Sequence, residues 1–176
     1  MSSREELLRL LEPPSEKWAL PSPEEIVRGY GNPLPADYMW LSEVYGPGAI
    51  AGYLSILAPL PASEIGAAPG VAPMSAEQFL QFDEPGEIDP AYLEPAGLIV
   101  WGFDLNNDTA CWSPVGEPDD WPVVIRRHNP QSGPTWVRYE IGVVELLVRT
   151  LQGRLDSNPF SGDDLWRNES PSFARS

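Results

Sequence analysis

Residues 98–127 read LIVWGFDLNNDTACWSPVGEPDDWPVVIRR, and this stretch decides the fold. An apolar run rich in β-branched and aromatic residues (98–103) meets a polar turn (104–108). A second short run returns (109–113), a Pro/Gly/acid loop follows, and a third run closes the stretch (122–127). Strand formers bounded by turn formers are the pattern of a β-meander. Asn106-Asn107 suits the first turn, because Asn tolerates positive φ better than most residues. These residues look like the middle of a sheet with an acidic, Trp-bearing rim, and they hold no enzyme-like cluster.

Working outward, the flanks are helical. On the N-terminal side, Leu7, Leu8, Leu10 and Leu11 give residues 3–11 a short helical pattern, stopped by Pro13-Pro14. Such a helix either docks on the domain or frays. Ser22-Pro23-Glu24-Glu25 is a helix start: Ser22 caps, Pro23 suits the first helical position, and Glu25 completes a capping box. Residues 36–45 form another helix, with Tyr38, Leu41 and Tyr45 on one face and Gly46 as its stop. Residues 49–57 read as one strand, in which Gly52 marks a bulge or a close backbone approach. Residues 59–73 read as an Ala/Pro/Gly loop, Ser75 opens a short helix, and residues 83–95 read as an acidic linker. Beyond the meander, residues 136–139 suit one more strand. Residues 140–154 suit the longest helix, with Ile141, Val144, Leu147, Val148 and Leu151 on one face.

Strands joined by short turns predict an antiparallel sheet, here of about four to six strands flanked by helices, so the class is α+β. The expected organisation is an N-terminal extension (1–15), one α+β domain (16–155) and a surface-lying C-terminal extension (156–176). The chain has 176 residues, long enough for one such domain.

The formal net charge is −15, from 26 Asp+Glu against 11 Lys+Arg. A field of that sign repels nucleic acid and anionic membrane and draws basic partners. The single cysteine, Cys111, excludes an intrachain disulfide and suits a reducing cytoplasm. The first residues, MSSREELLRLLE, lack the basic-then-apolar order of a signal peptide, and the longest apolar stretch (49–60) is too short to span a membrane.

Leu34-Pro35-Ala36-Asp37-Tyr38, followed by Leu41 and Gly46, resembles the opening of the SUKH superfamily. That family holds bacterial immunity proteins and fungal regulators of cell-wall synthesis. The apolar strand ending at Phe103 with its polar turn, the run 122–127 and the helix over 141–155 follow in the family's order. Together these matches cover roughly residues 22–155. The Asn-Asn turn, where the family often has glycine, and the long Pro-rich insert over 59–95 depart from it. The resemblance implies a SUKH-like α+β domain without catalytic function. For bacterial members it implies neutralisation of a toxin, often a nuclease, by stoichiometric binding. For members of the fungal type it implies a regulatory or scaffolding role among cellular proteins. The acidic charge agrees independently with a basic toxin domain as partner.

The candidate partner-binding residues are Asp104, Asp108, Glu117, Asp119, Asp120 and Trp121. Trp is enriched at binding hot spots, and rim charges steer a partner. The competing reading is that Trp121 packs inward and the acids are merely solvated. Glu84, Glu87 and Asp89 form a second candidate patch. Asp104-x-Asn106-x-Asp108 imitates the start of a calcium loop, but Thr109 replaces the required Gly and Val115 the closing Glu. Cys111 mid-strand and His128 at a turn do not suit a nucleophile pair, and the chain lacks the nitrogen and sulfur ligands of a zinc site. No cofactor and no metal is expected.

Overall fold

A computed structural model describes residues 1–81, 87–89, 92 and 97–176. Four helices of the flanks are α1 (Ser3–Leu10), α2 (Pro23–Tyr30), α3 (Ala36–Tyr45) and α4 (Ala76–Leu80). The fifth, α5 (Val143–Gln152), follows the meander. The strands are β1 (Gly48–Ile50), β2 (Leu54–Ile56), β3 (Ala72–Met74) and β4 (Leu98–Asp104). They continue with β5 (Thr109–Trp112), β6 (Val123–Arg126), β7 (Trp136–Tyr139) and β8 (Phe173–Arg175). Among the described residues no helix is long and apolar enough to cross a membrane.

The class is α+β, as the alternation of strands and tight turns predicts. The sheet is larger than four to six strands: eight strands pair antiparallel in the order β7-β6-β5-β4-β2-β1-β8, with β3 also on β4. The meander β4-β5-β6-β7 forms as read. β4 is the longest strand, and its free edge carries two short neighbours end to end. β3 pairs with Leu98–Val100, and β2 pairs with Gly102–Asp104. The register on β5 shifts between Val100 and Gly102. Gly102 is needed there, because a Cβ on it would meet the Ser55 carbonyl oxygen at 2.9 Å.

Alternation along the strands divides the side chains between two faces. Ile99, Trp101, Ala110, Trp112, Val123 and Ile125 face the helices and pack with Tyr38, Leu41, Val144, Leu147 and Leu151. Leu98, Cys111 and Val124 lie in a second cluster with Phe79 of α4, Ile88 and Tyr92. Burial of each large apolar side chain contributes about 1.5–3 kcal/mol. A sheet covered on both faces therefore fits the near-continuous apolar runs of β4 and β6.

Three expectations change. Residues 49–57 form a hairpin rather than one strand: Ala51 and Gly52 both take positive φ, 54° and 62°, and turn β1 into β2. Glu25 does not close a capping box on α2. Its carboxylate instead accepts from the Ala62 amide (3.2 Å) and pairs with Arg28. The C-terminal residues are not a surface extension. Phe160 and Leu165 are buried in the core, and β8 pairs with β1. The N-terminal helix docks: Leu7 and Leu11 are fully buried, and Arg154 bonds Glu6 across to α5's end at 2.7 Å.

Candidate interaction surface

The meander ends in two acidic turns, and their carboxylates face different ways. At the β4–β5 turn, Asp104 and Asp108 are buried, 3% and 0% exposed. Asp104 accepts hydrogen bonds from the Asn106 amide (2.8 Å), the Asp108 amide (2.9 Å) and the Tyr53 hydroxyl (2.7 Å). Asp108 accepts from the His128 amide (2.7 Å) and from both the amide and the hydroxyl of Ser161. Tyr53 in turn accepts from the Gly162 amide (3.0 Å). The pair thus ties the hairpin to the β1–β2 turn, the end of β6 and the C-terminal segment. This corrects their assignment to a binding surface: both carboxylates point into the protein and hold backbone donors. Burial, reinforced by the neighbouring Asp108 charge, raises Asp104 to about 6, against the bonds from Tyr53 and the Asp108 amide, which lower it.

The loop between β5 and β6 behaves otherwise. Glu117 and Asp120 are exposed, and neither enters an ion pair among the described residues. Asp119 is also exposed, yet its Oδ1 accepts from the Ala36 amide at 2.7 Å. That bond supplies a cap to α3, whose own N-cap residue, Pro35, offers no side-chain acceptor. Trp121 packs inward at 3% exposure, its ring centroid 6.3 Å from that of Trp112. Its indole N–H donates to the Gly116 carbonyl at 3.1 Å and so pins the loop. Of the two readings of Trp121, the structure takes the inward-packing one: the side chain supports the acidic loop and is not an exposed anchor for a partner.

Beside this loop lies a cleft of about 390 Å³, lined by residues from the starts of α1, α3 and α5 together with Trp112, Asp119 and Trp121. Asp37 stands on its wall. One of its oxygens accepts from the Tyr38 amide (2.7 Å), and the other accepts from the Val144 amide (3.0 Å). It thereby caps α5, whose N-cap residue, Gly142, has no side chain to do so. Burial raises the Asp37 carboxyl above its ordinary value; the two amides oppose that, and Asp119 adds to it. Asp37 and Asp119 form a relay in which each acid caps a helix that cannot cap itself. The signal was present in the sequence: Pro35 and Gly142 precede helices without a capping side chain, so each helix requires a donated acceptor.

In the second candidate patch, Glu87 and Asp89 are exposed, and Glu84 lies outside the described residues. Cys111 is buried, and burial pushes its thiol far up, while His128 is exposed. Among the described residues no group of three His, Cys, Asp or Glu could hold a metal ion. In the sequence that imitates a calcium loop, the Asp104 and Asp108 carboxylates accept from the amide and hydroxyl donors named above.

No protein-family model matches this chain, and no curated protein and no solved structure matches it.

Proposed function

We propose that the chain is a non-enzymatic, cytoplasmic binding protein that neutralises a basic, nuclease-type toxin domain by stoichiometric contact. The observation that carries this reading is the uncompensated acid on a braced rim. Glu117 and Asp120 are exposed and unpaired on a loop held by Trp121 and Asp119, within a chain of formal net charge −15. Fixed rim charges of one sign speed encounter with a partner of the opposite sign and set its orientation. A rigid loop also loses little conformational entropy on binding. The resemblance of residues 34–46 and of the meander to the SUKH superfamily supports the same reading. Nucleic acid and anionic membrane are disfavoured as partners by the charge.

The test is affinity capture on the immobilised chain from its own organism's lysate, washed at low and at moderate salt. The expected result is one dominant basic protein whose binding weakens between about 0.05 and 0.5 M salt. That protein should kill when expressed alone and be harmless when co-expressed. Several partners, none of them toxic, would overturn immunity and favour a regulatory scaffold.

A further inference from the structure

The second face of the sheet is covered unevenly. Phe79, Ile88 and Tyr92 pack with Leu98, Cys111 and Val124. Thr109 and Arg126 continue the same face, because they stand two residues along β5 and β6 from Cys111 and Val124. Phe103 is the partner of Thr109 on β4. It lies outside the covered cluster and is 47% exposed, although it belongs to the longest strand of the sheet.

This end of the face holds a pocket of about 460 Å³. Its apolar lining is Met74, Phe79 and Phe103. Phe79 is fixed edge-to-face against Trp136, with ring centroids 5.4 Å apart. Its polar lining includes Asn107, Thr109 and His128. Asn107 and His128 hydrogen-bond through their backbones, to Asp104, Asp108 and Ser161. Among the described residues neither their side chains nor the Thr109 hydroxyl has a hydrogen-bond partner. Arg126 also lines the pocket, but it is already engaged and is not one of the open groups.

We propose that this pocket binds a small uncharged aromatic molecule that carries a hydrogen-bonding group on its ring. The volume falls within the ~300–1,000 Å³ of small-molecule sites, whose lining is mainly apolar with a few polar groups that fix orientation. Two phenyl rings accept an aromatic ligand in stacked or edge-to-face geometry, and the Met74 thioether adds a polarisable contact at a ring edge. The open amide, hydroxyl and imidazole between them both donate and accept, so they suit a group on the ligand that does both. A charged ligand is disfavoured: no open carboxylate or guanidinium lines the pocket to offset its lost hydration, and the net charge of −15 repels an anion. The pocket lies on the other face of the sheet from the cleft beside the acidic loop, so it is independent of the partner proposed above.

The test titrates the full chain, carrying ¹³C at its methionine methyls, with benzamide. Of the three methionines only Met74 lines the pocket. Its methyl resonance should move and saturate, with a Kd on the order of 1 mM for a ligand so small, while those of Met1 and Met39 stay in place. Tm should rise by about 3–6 °C at about ten times the Kd. Phe103→Ala, at an exposed position, should weaken binding about tenfold, and Thr109→Val should weaken it about threefold. Cyclohexanecarboxamide, which keeps the amide and lacks the aromatic ring, and benzoate, which keeps the ring and adds a charge, should each bind more weakly than benzamide. No saturable shift of Met74, affinity unchanged in either variant, or binding of cyclohexanecarboxamide or benzoate as tight as that of benzamide overturns the proposal.

Discussion

Asp104 and Asp108 flank one turn of the meander, and Glu117, Asp119 and Asp120 occupy the next. Both turns are short, polar and acidic. The first holds its carboxylates against backbone amides in the interior, 3% and 0% exposed, and joins distant segments of the chain. The second leaves Glu117 and Asp120 in solvent and commits only Asp119 to a neighbouring helix. The difference is set by what stands opposite. The β4–β5 turn faces Tyr53 and the Ser161-Gly162 backbone, which bring donors. The β5–β6 loop is pinned at its base by Trp121 and at Asp119 by the Ala36 amide, and the Glu117 and Asp120 carboxylates meet no donor among the described residues. An acidic turn therefore serves either as a fastener or as a display, depending on segments far away in the sequence.

The comparison breaks most severely at Asp108. Asp108→Ala would deprive the part-buried amides of His128 and Ser161 of their acceptor, at a cost of about 1–3 kcal/mol. Chemical denaturation should show that loss as a lower midpoint. A change below about 1 kcal/mol would mean that the segment around Ser161 is held by other contacts.

Acidity offers the next test. The folded chain holds the Asp104 proton more tightly than the unfolded chain, about 6 against the ordinary 3.8. The stabilisation is complete below the unfolded value and is lost as pH rises through about 6. The gap corresponds to about 3 kcal/mol at most. Unfolding free energy should therefore fall between pH 4 and 7, and Asp104→Asn should flatten that slope. An equal slope in the variant would place the pH response elsewhere.

The smallest effects belong to the displayed acids. Asp119→Ala removes a cap and should lower stability by about 1 kcal/mol. Glu117→Gln with Asp120→Asn should stay within about 0.5 kcal/mol. The double variant should instead slow association with a basic partner at low salt and leave association at high salt nearly unchanged, as stopped-flow mixing would report.

How much of this was legible in the sequence follows from the range of the interactions. The capping boxes of Ser2 with Glu5 and Ser75 with Gln78, the Ser22 cap and the meander are local, and local patterns announced α2, α3, α4 and β4 to β6. The hairpin at Ala51-Gly52 was hidden because Ala at φ 54° is not a turn signal. The C-terminal segment was hidden because Phe160, Leu165 and Phe173 are isolated among Ser, Asn and Pro, with neither a helical nor a strand period. Their burial depends on surfaces made by β1 and the helices. The direction of the Asp104 and Asp108 side chains was illegible for the same reason: an aspartate in a turn has the same neighbours in sequence whether its carboxylate faces water or a buried tyrosine. The candidate site was accordingly legible as a charge and a loop, and not as a geometry.

The pairing of β8 with β1 brings Arg175 beside Gly48, so the sheet's outer edge is closed by residues from opposite parts of the chain. Loop-closure entropy rises with the length of chain enclosed, and so this ladder is among the costliest to nucleate. The contact order of the whole fold is raised by this one short ladder. Its amides should exchange with deuterium well before those shared by β4 and β5, and the β1–β8 seam becomes the point from which the domain opens.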